Sequence, residues 1–165
     1  MRSSIDPILL VLTTLLPGCG GAPPGQDPGR TGRFTASVST GSEREISGFA
    51  VSDGKAGVGW SMTFTTPGGG EGMLWITEGA GRPEPGTYKI VDAIASDMSP
   101  PAGEYVATVN MEGTDYDLQS VSGTLTITES SASAVSGRFS FSGRRGTADQ
   151  TGTVEGTFTT TNRDR

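Results

Sequence analysis

The chain has 165 residues, a net charge of −6, one cysteine and no histidine, and this length predicts a single folded domain. Without histidine, Ser-His-Asp catalysis, Cys-His catalysis and His-ligated zinc are excluded. The single cysteine excludes an intrachain disulfide. The acidic balance disfavours a phosphate-binding surface, so we expect no nucleic-acid partner.

The N-terminal segment has the parts of a secretory signal. Arg2 provides a positive start, and the apolar run from Ile8 to Leu16 is far shorter than the about 20 residues of a membrane-spanning helix. The next residues, Leu16, Pro17, Gly18 and Cys19, resemble the lipobox of bacterial lipoproteins, with the only cysteine in the position that becomes lipidated. The resemblance implies cleavage before Cys19 and a diacylglyceryl anchor on it, with further acylation by a palmitate-type chain.

Because Gly20 rather than an aspartate follows the cysteine, the same resemblance implies a location in the cell envelope, at the outer membrane if the source is Gram-negative. Residues 20–32 are rich in Gly and Pro and have no apolar periodicity, so they cannot bury a core. We interpret them as a tether that reaches at most ~45 Å when fully extended. The predicted organisation is a signal peptide (1–18), lipidated Cys19 with its tether (19–32), a β domain (33–162) and a short tail (163–165).

From Arg33 onwards, apolar and polar residues alternate, which is typical of half-buried strands. The short apolar run from Met73 to Thr77 predicts a central strand, and the segment from Asp92 to Met98 predicts a single helical turn at most. Segments rich in Gly and Pro separate the strands. The alternating apolar positions are Phe34, Ala36 and Val38; Val58, Trp60, Met62 and Phe64; and Tyr105, Ala107, Val109 and Met111. A further strand is predicted at Tyr88, Ile90 and Val91, which follow the turn signal Pro85-Gly86.

The C-terminal part contains a repeated pattern, V-x-G-x-Φ-x-(Φ or T), in which Φ is an apolar residue. Copies begin at Val121, Val135 and Val154, with a weaker copy at Ile46. Their irregular spacing fits antiparallel strands rather than a solenoid. A glycine on the inward face of a strand needs a large side chain over it.

We therefore predict that the last two copies pair so that each glycine faces a ring: Val154 opposite Phe141, Gly156 opposite Phe139, Phe158 opposite Gly137, and Thr160 opposite Val135. The predicted core consists of Trp60, Phe64, Leu125, Ile127, Phe139, Phe141 and Phe158.

About eight or nine short strands with frequent turns favour an all-β fold, specifically an antiparallel β-sandwich, with a partly open β-barrel as the alternative. The region from about residue 60 to 160 also resembles a class of β-rich bacterial lipoproteins of unknown function. The resemblance rests on the motif Gly86-Thr87-Tyr88 and on three segments, 122–128, 136–142 and 156–158. Since the function of that class is unknown, it implies no site residues.

Carboxylates are the remaining acid–base groups, and no pair of them is flanked by a recognisable active-site sequence, so we expect no catalytic activity, no metal and no cofactor. The loop from Asn110 to Asp117 is rich in oxygen ligands that calcium accepts, but its composition favours a polar turn. The ligand-binding candidates are Trp75, Asp115, Tyr116 and Asp117.

The predicted function is a lipid-anchored structural or binding module of the cell envelope, which contacts the membrane through Cys19. The partner would be an envelope protein or a glycan. The alternative is a carbohydrate-binding or carbohydrate-processing domain that uses exposed aromatics and carboxylates.

Overall fold

The computed structural model describes residues 32–55, 59–67, 71–72, 82–110, 117–145 and 150–162. The predicted signal peptide, Cys19, the tether up to residue 31, the tail and the strand predicted at 73–77 lie outside these residues. Ten strands occur within the described ranges: β1 (Arg33–Ser39), β2 (Glu43–Lys55), β3 (Gly59–Thr65), β4 (Glu71–Gly72), β5 (Gly86–Ile90), β6 (Glu104–Tyr105), β7 (Thr108–Asn110), β8 (Asp117–Ser130), β9 (Ala134–Arg145) and β10 (Thr151–Asn162).

All ten strands belong to one sheet. Its order is β4-β3-β2-β1-β10-β9-β8-β5-β6, and β7 pairs with β8. Most pairs are antiparallel, but β5–β6 and the end of β10 with β2 are parallel, so the sheet is mixed. The all-β prediction is confirmed, and the architecture is the predicted alternative, a partly open barrel, because the strands form one curled sheet instead of two packed layers.

The curl of the sheet is visible in its aromatic contacts. Phe64 on β3 and Phe139 on β9 have ring centroids 5.7 Å apart, although three strands lie between β3 and β9 in the sheet. Phe64 also contacts Phe34 and Phe158, at 4.9 and 5.8 Å. Two strands so far apart in a flat sheet could not touch, because each step between strands is about 4.8 Å. The inner face therefore closes on itself and makes one apolar core.

The predicted core residues are all buried: Trp60, Phe64, Leu125, Ile127, Phe139, Phe141 and Phe158. This prediction is confirmed, and the period-two pattern of β1, β9 and β10 matches their burial, with apolar side chains inside and polar ones outside. The outward side chains are mostly Ser and Thr, which keep the exposed face polar, and Thr is also enriched in strands.

The predicted register between β9 and β10 is also confirmed. Val154 pairs with Phe141, Gly156 with Phe139, Phe158 with Gly137, and Thr160 with Val135. A Cβ added at Gly137 would lie 2.9 Å from Cζ of Phe158, and one added at Gly156 would lie 2.7 Å from Cζ of Phe139. Each ring thus occupies the space that a side chain on the facing strand would fill.

The other copies of the repeat follow the same rule. Gly123 of β8 pairs with Phe141 of β9, and Gly48 of β2 pairs with Phe34 of β1. Every copy therefore places its glycine across from a phenylalanine. The repeat encodes close contact between neighbouring strands, which lets large rings fill the inside of a small, strongly curled sheet.

The prediction of one alternating strand from Tyr105 to Met111 is wrong. The segment forms two separate short strands, β6 on β5 and β7 on β8, and Tyr105, Val106 and Ala107 are all buried. The chain changes partner between the two strands. There, Ser120 of β8 bridges the gap, because its N–H donates to the carbonyl of Ala107 (2.8 Å) and its hydroxyl accepts from the N–H of Ala107 (3.0 Å).

The segment from Asp92 to Met98 folds as a single closed turn. The Oδ1 of Asp92 accepts hydrogen bonds from the N–H groups of Ile94 and Ala95, at 3.0 and 2.9 Å. At the other end, the N–H of Met98 donates to Ala93 and that of Asp97 to Ile94, which is the hydrogen-bond pattern of a Schellman cap. Asp97 and Met98 both have positive φ, 50° and 57°, a conformation that costs side-chain-bearing residues energy.

We expect Asp97→Gly to raise the free energy of unfolding by about 0.5–1 kcal/mol, because glycine adopts positive φ without a Cβ clash. The matched control is Ala95→Gly in the same turn, where φ is not positive; it should lower stability by about 0.5–1 kcal/mol. Urea unfolding of the two variants measures both changes. A loss of stability in Asp97→Gly would contradict the conformation of this turn.

Candidate functional site

The outer face of the sheet carries a continuous row of polar side chains across six strands. The residues are hydrogen-bonded neighbours in register from β2 through β1, β10, β9 and β8 to β5. Because opposite residues in neighbouring strands point to the same side, their side chains form one line on the surface. The row is Ser47, Thr35, Thr157, Arg138, Thr126 and Thr87.

Several hydroxyls on this face pair with each other. Thr35 and Thr157 have their Oγ1 atoms 3.2 Å apart, and Ser136 and Thr159 have their hydroxyl oxygens 3.0 Å apart. In such a pair one hydroxyl donates and the other accepts, so one hydrogen and several lone pairs remain for a ligand. The pairs also fix the rotamers, and a ligand would find the hydroxyls already oriented.

Two adjacent grooves lie on this face, with volumes of about 480 and 390 Å³. They meet at Thr35 and Thr157, which line both. We call the two grooves together the outer trough. Its first part is lined by Arg33, Thr35, Ser47, Phe49, Pro67, Thr157 and Thr159, and its second part by Thr35, Ser37, Glu45, Thr124, Thr126, Arg138, Ser140, Glu155 and Thr157, together with nearby backbone.

Four charged side chains line the outer trough: Arg33, Glu45, Arg138 and Glu155. Within the described parts of the chain, none of them has an ion pair or a side-chain hydrogen bond. All four are exposed. Two positive and two negative groups therefore remain available to a ligand, and their charges cancel.

Two groups of polar side chains outside the outer trough make structural contacts. Arg144 Nη2 binds both carboxylate oxygens of Asp92, at 3.1 and 2.9 Å, which joins β9 to the turn that follows β5. This ion pair fixes the turn against β9. In the interior, the hydroxyl of Ser52 lies 2.8 Å from that of Thr160 and also binds Asn162, where β2 meets the end of β10.

The predicted site residues fall largely outside the described residues. This applies to Leu16, Pro17, Gly18 and Cys19 of the lipobox and to Trp75, Asp115 and Tyr116. Asp117 begins β8, where its backbone pairs with Asn110, while its side chain lies outside the described part. In the portion of the chain that is described, no three His, Cys, Asp or Glu side chains come together as a metal site would require.

Sequence reasoning missed the outer trough. The available signal was the polar half of the alternation, in particular Thr124, Thr126 and Thr128 of β8 and Thr157 and Thr159 of β10. In a single strand such positions indicate only the solvent-facing side. The trough can hold a polar ligand through its hydroxyls, guanidinium groups and carboxylates. Phe49 and Pro67 form an apolar patch next to them.

The fold and the site define an all-β protein with one curled sheet and a hydroxyl-lined trough on its convex side. No protein family, curated protein or solved structure was found to match the chain. Across the residues that the structure describes, there is no helix with the length and apolar character needed to cross a membrane.

Proposed function

We propose that this protein is a lipid-anchored binding module of the cell envelope, held at the membrane by Cys19 and presenting the outer trough to a ligand. The anchor is supported by the sequence around Cys19, where the apolar run, the small residue before the cysteine and the only cysteine of the chain coincide. Two or three acyl chains, at about 0.8 kcal/mol per buried methylene, give stable attachment.

The observation that carries the binding role is the outer trough with its four unengaged charges. Exposed charges keep any surface soluble, but these four line one groove, and because they make no ion pair or side-chain hydrogen bond within the described residues, they are available to a ligand. Binding to an envelope component also agrees with the tether, since a Gly- and Pro-rich linker lets an anchored domain reach a partner beside the membrane.

The alternative is a carbohydrate-binding or carbohydrate-processing domain. The same surface supports the binding role within this alternative. Glycan processing would need two carboxylates about 5–10 Å apart around one sugar bond. The outer trough is lined more by hydroxyls and guanidinium groups than by paired carboxylates. We therefore propose binding rather than hydrolysis.

The anchor is tested by metabolic labelling. Cells that express the full chain with a clickable palmitate analogue should yield a labelled protein in the membrane fraction, and Cys19→Ser should abolish the label and release the protein. Ser42→Cys, with its new thiol in the exposed turn before β2, placed in the Cys19→Ser background, controls for non-specific thiol acylation and should stay unlabelled. An unlabelled wild-type protein would rule out the anchor.

A further inference from the structure

The outer trough has the dimensions and chemistry of a site for an extended chain of sugars. We propose that it binds a neutral polysaccharide, laid across β2, β1, β10, β9 and β8. This inference rests on the proposed binding function and names its ligand class. It is carried by two properties of the trough, its hydroxyl pairs and its charge balance, and the strand spacing common to all sheets is compatible with it.

The repeat distance comes from the sheet. Neighbouring strands lie about 4.8 Å apart, and the row through Ser47, Thr35, Thr157 and Arg138 places one polar side chain at each step. A pyranose ring in an extended chain advances by nearly the same length. Five strands therefore match about four consecutive sugars, each with a polar side chain beneath it.

The hydroxyl pairs match the hydrogen-bonding character of sugars. A sugar hydroxyl both donates and accepts, and so does each threonine or serine hydroxyl. The pair Thr35–Thr157, at the junction of the two grooves, leaves one donor and free lone pairs directed outward. Because these hydroxyls are already positioned by their mutual contact, a sugar chain would order few side chains on binding.

The charges favour a neutral chain over a polyanion or a polycation. Arg33 and Arg138 donate to sugar oxygens, and Glu45 and Glu155 accept from sugar hydroxyls, as charge-assisted hydrogen bonds. A polyanion would meet the two carboxylates unfavourably. At one end, Phe49 and Pro67 offer an apolar surface on which the C–H face of a sugar ring can rest.

The test uses the full chain, purified in mild detergent, and three probes: chitin oligosaccharides (di-, tetra- and hexasaccharide), cellohexaose and intact peptidoglycan sacculi. Calorimetry with the soluble probes and co-sedimentation with the sacculi measure binding. We expect at least one soluble probe to bind, with affinity that rises from the disaccharide to the tetrasaccharide and then levels off at the hexasaccharide. Polygalacturonate, a polyanion, should bind more weakly.

The variant is the double substitution Thr35→Val with Thr157→Val, which removes the central hydroxyl pair while keeping β-branched residues that suit a strand. It should weaken binding by about tenfold or more, since two hydrogen bonds are lost. The matched control is Thr153→Val, on the same strand and exposed face but outside both grooves, and it should leave the affinity unchanged. Urea unfolding checks that both variants are folded.

Three results would overturn the proposal: no binding to the chitin oligosaccharides or to cellohexaose, whether or not the sacculi bind; equal binding by the double variant and wild type; or tighter binding to polygalacturonate. Capture of an envelope protein by a photocrosslinker at position 138, without sugar binding, would assign the trough to a protein partner instead. The labelling of Cys19 separates the two proposals. A labelled protein that binds no sugar would contradict only the polysaccharide proposal. An unlabelled protein that binds sugar would contradict only the proposed lipid anchor.

Discussion

Phe139→Ala should lower the free energy of unfolding by about 3–5 kcal/mol, the range for removing a buried phenylalanine. Phe139 is 5% exposed, and its ring lies between those of Phe64, Phe141 and Phe158, with centroids 5.7, 6.4 and 6.3 Å away. Because these rings come from β3, β9 and β10, the cavity would open at the point where the two sides of the curled sheet meet, and no single strand could move to fill it.

Urea unfolding followed by tryptophan fluorescence, to which buried Trp60 contributes, measures this loss, which is a large share of the 5–15 kcal/mol that stabilises an ordinary domain. Phe49→Ala is the matched control: the same change on the outer face, where the ring is only half-buried, should cost clearly less. A larger loss from Phe49→Ala than from Phe139→Ala would contradict the position of the core.

Gly137→Ala should be destabilising by about 3 kcal/mol, the upper end of the range for overpacking a tight core. The added Cβ would overlap the carbonyl oxygen of Thr126 on the neighbouring strand and lie 2.9 Å from Cζ of Phe158. The carbonyl belongs to the backbone of β8, so it cannot move without disturbing the ladder between β8 and β9. The facing ring adds to the clash.

The same substitution at Gly86 is the control, because a Cβ there would meet only the ring of Tyr88 at 3.7 Å, which is ordinary contact. Gly86→Ala should change stability by less than about 1 kcal/mol, in the stabilising direction. In a double-mutant cycle, Phe158→Leu should cost less in the Gly137→Ala background than in the wild type, since the smaller side chain relieves part of the overlap. Additive effects would contradict the pairing of Gly137 with Phe158.

The glycine and phenylalanine pattern predicted the β9–β10 register because both residue types constrain the same small space. A slip by one residue would turn the whole apolar set outward, so only one alignment satisfies both strands. The choice between a sandwich and a partly open barrel had no such local signal. It depends on whether Phe64 faces a second sheet or the far side of its own sheet. The contact that decides this joins Phe64 to Phe139, 75 positions later in the chain.

The outer trough could not be predicted for a related reason. Thr35, Thr157 and Arg138 each look like an ordinary solvent-facing residue of a strand, and only the combined register of β1, β10 and β9 places them side by side. Exposed positions carry weak constraints on residue type, so their pattern in the sequence contains little information about a site.

The central position of β1 has a consequence for how the chain folds. Among the described strands β1 is the first and β10 the last, and the two pair from Arg33 with Thr159 to Ser39 with Thr153. Loop closure over so long a separation is entropically costly and slows folding. Until β10 has been synthesised, β1 can pair only with β2, which itself pairs with β3, and the other edge of β1 stays open. The two halves of the sheet are therefore joined, through β1 and β10, only after β10 has been synthesised.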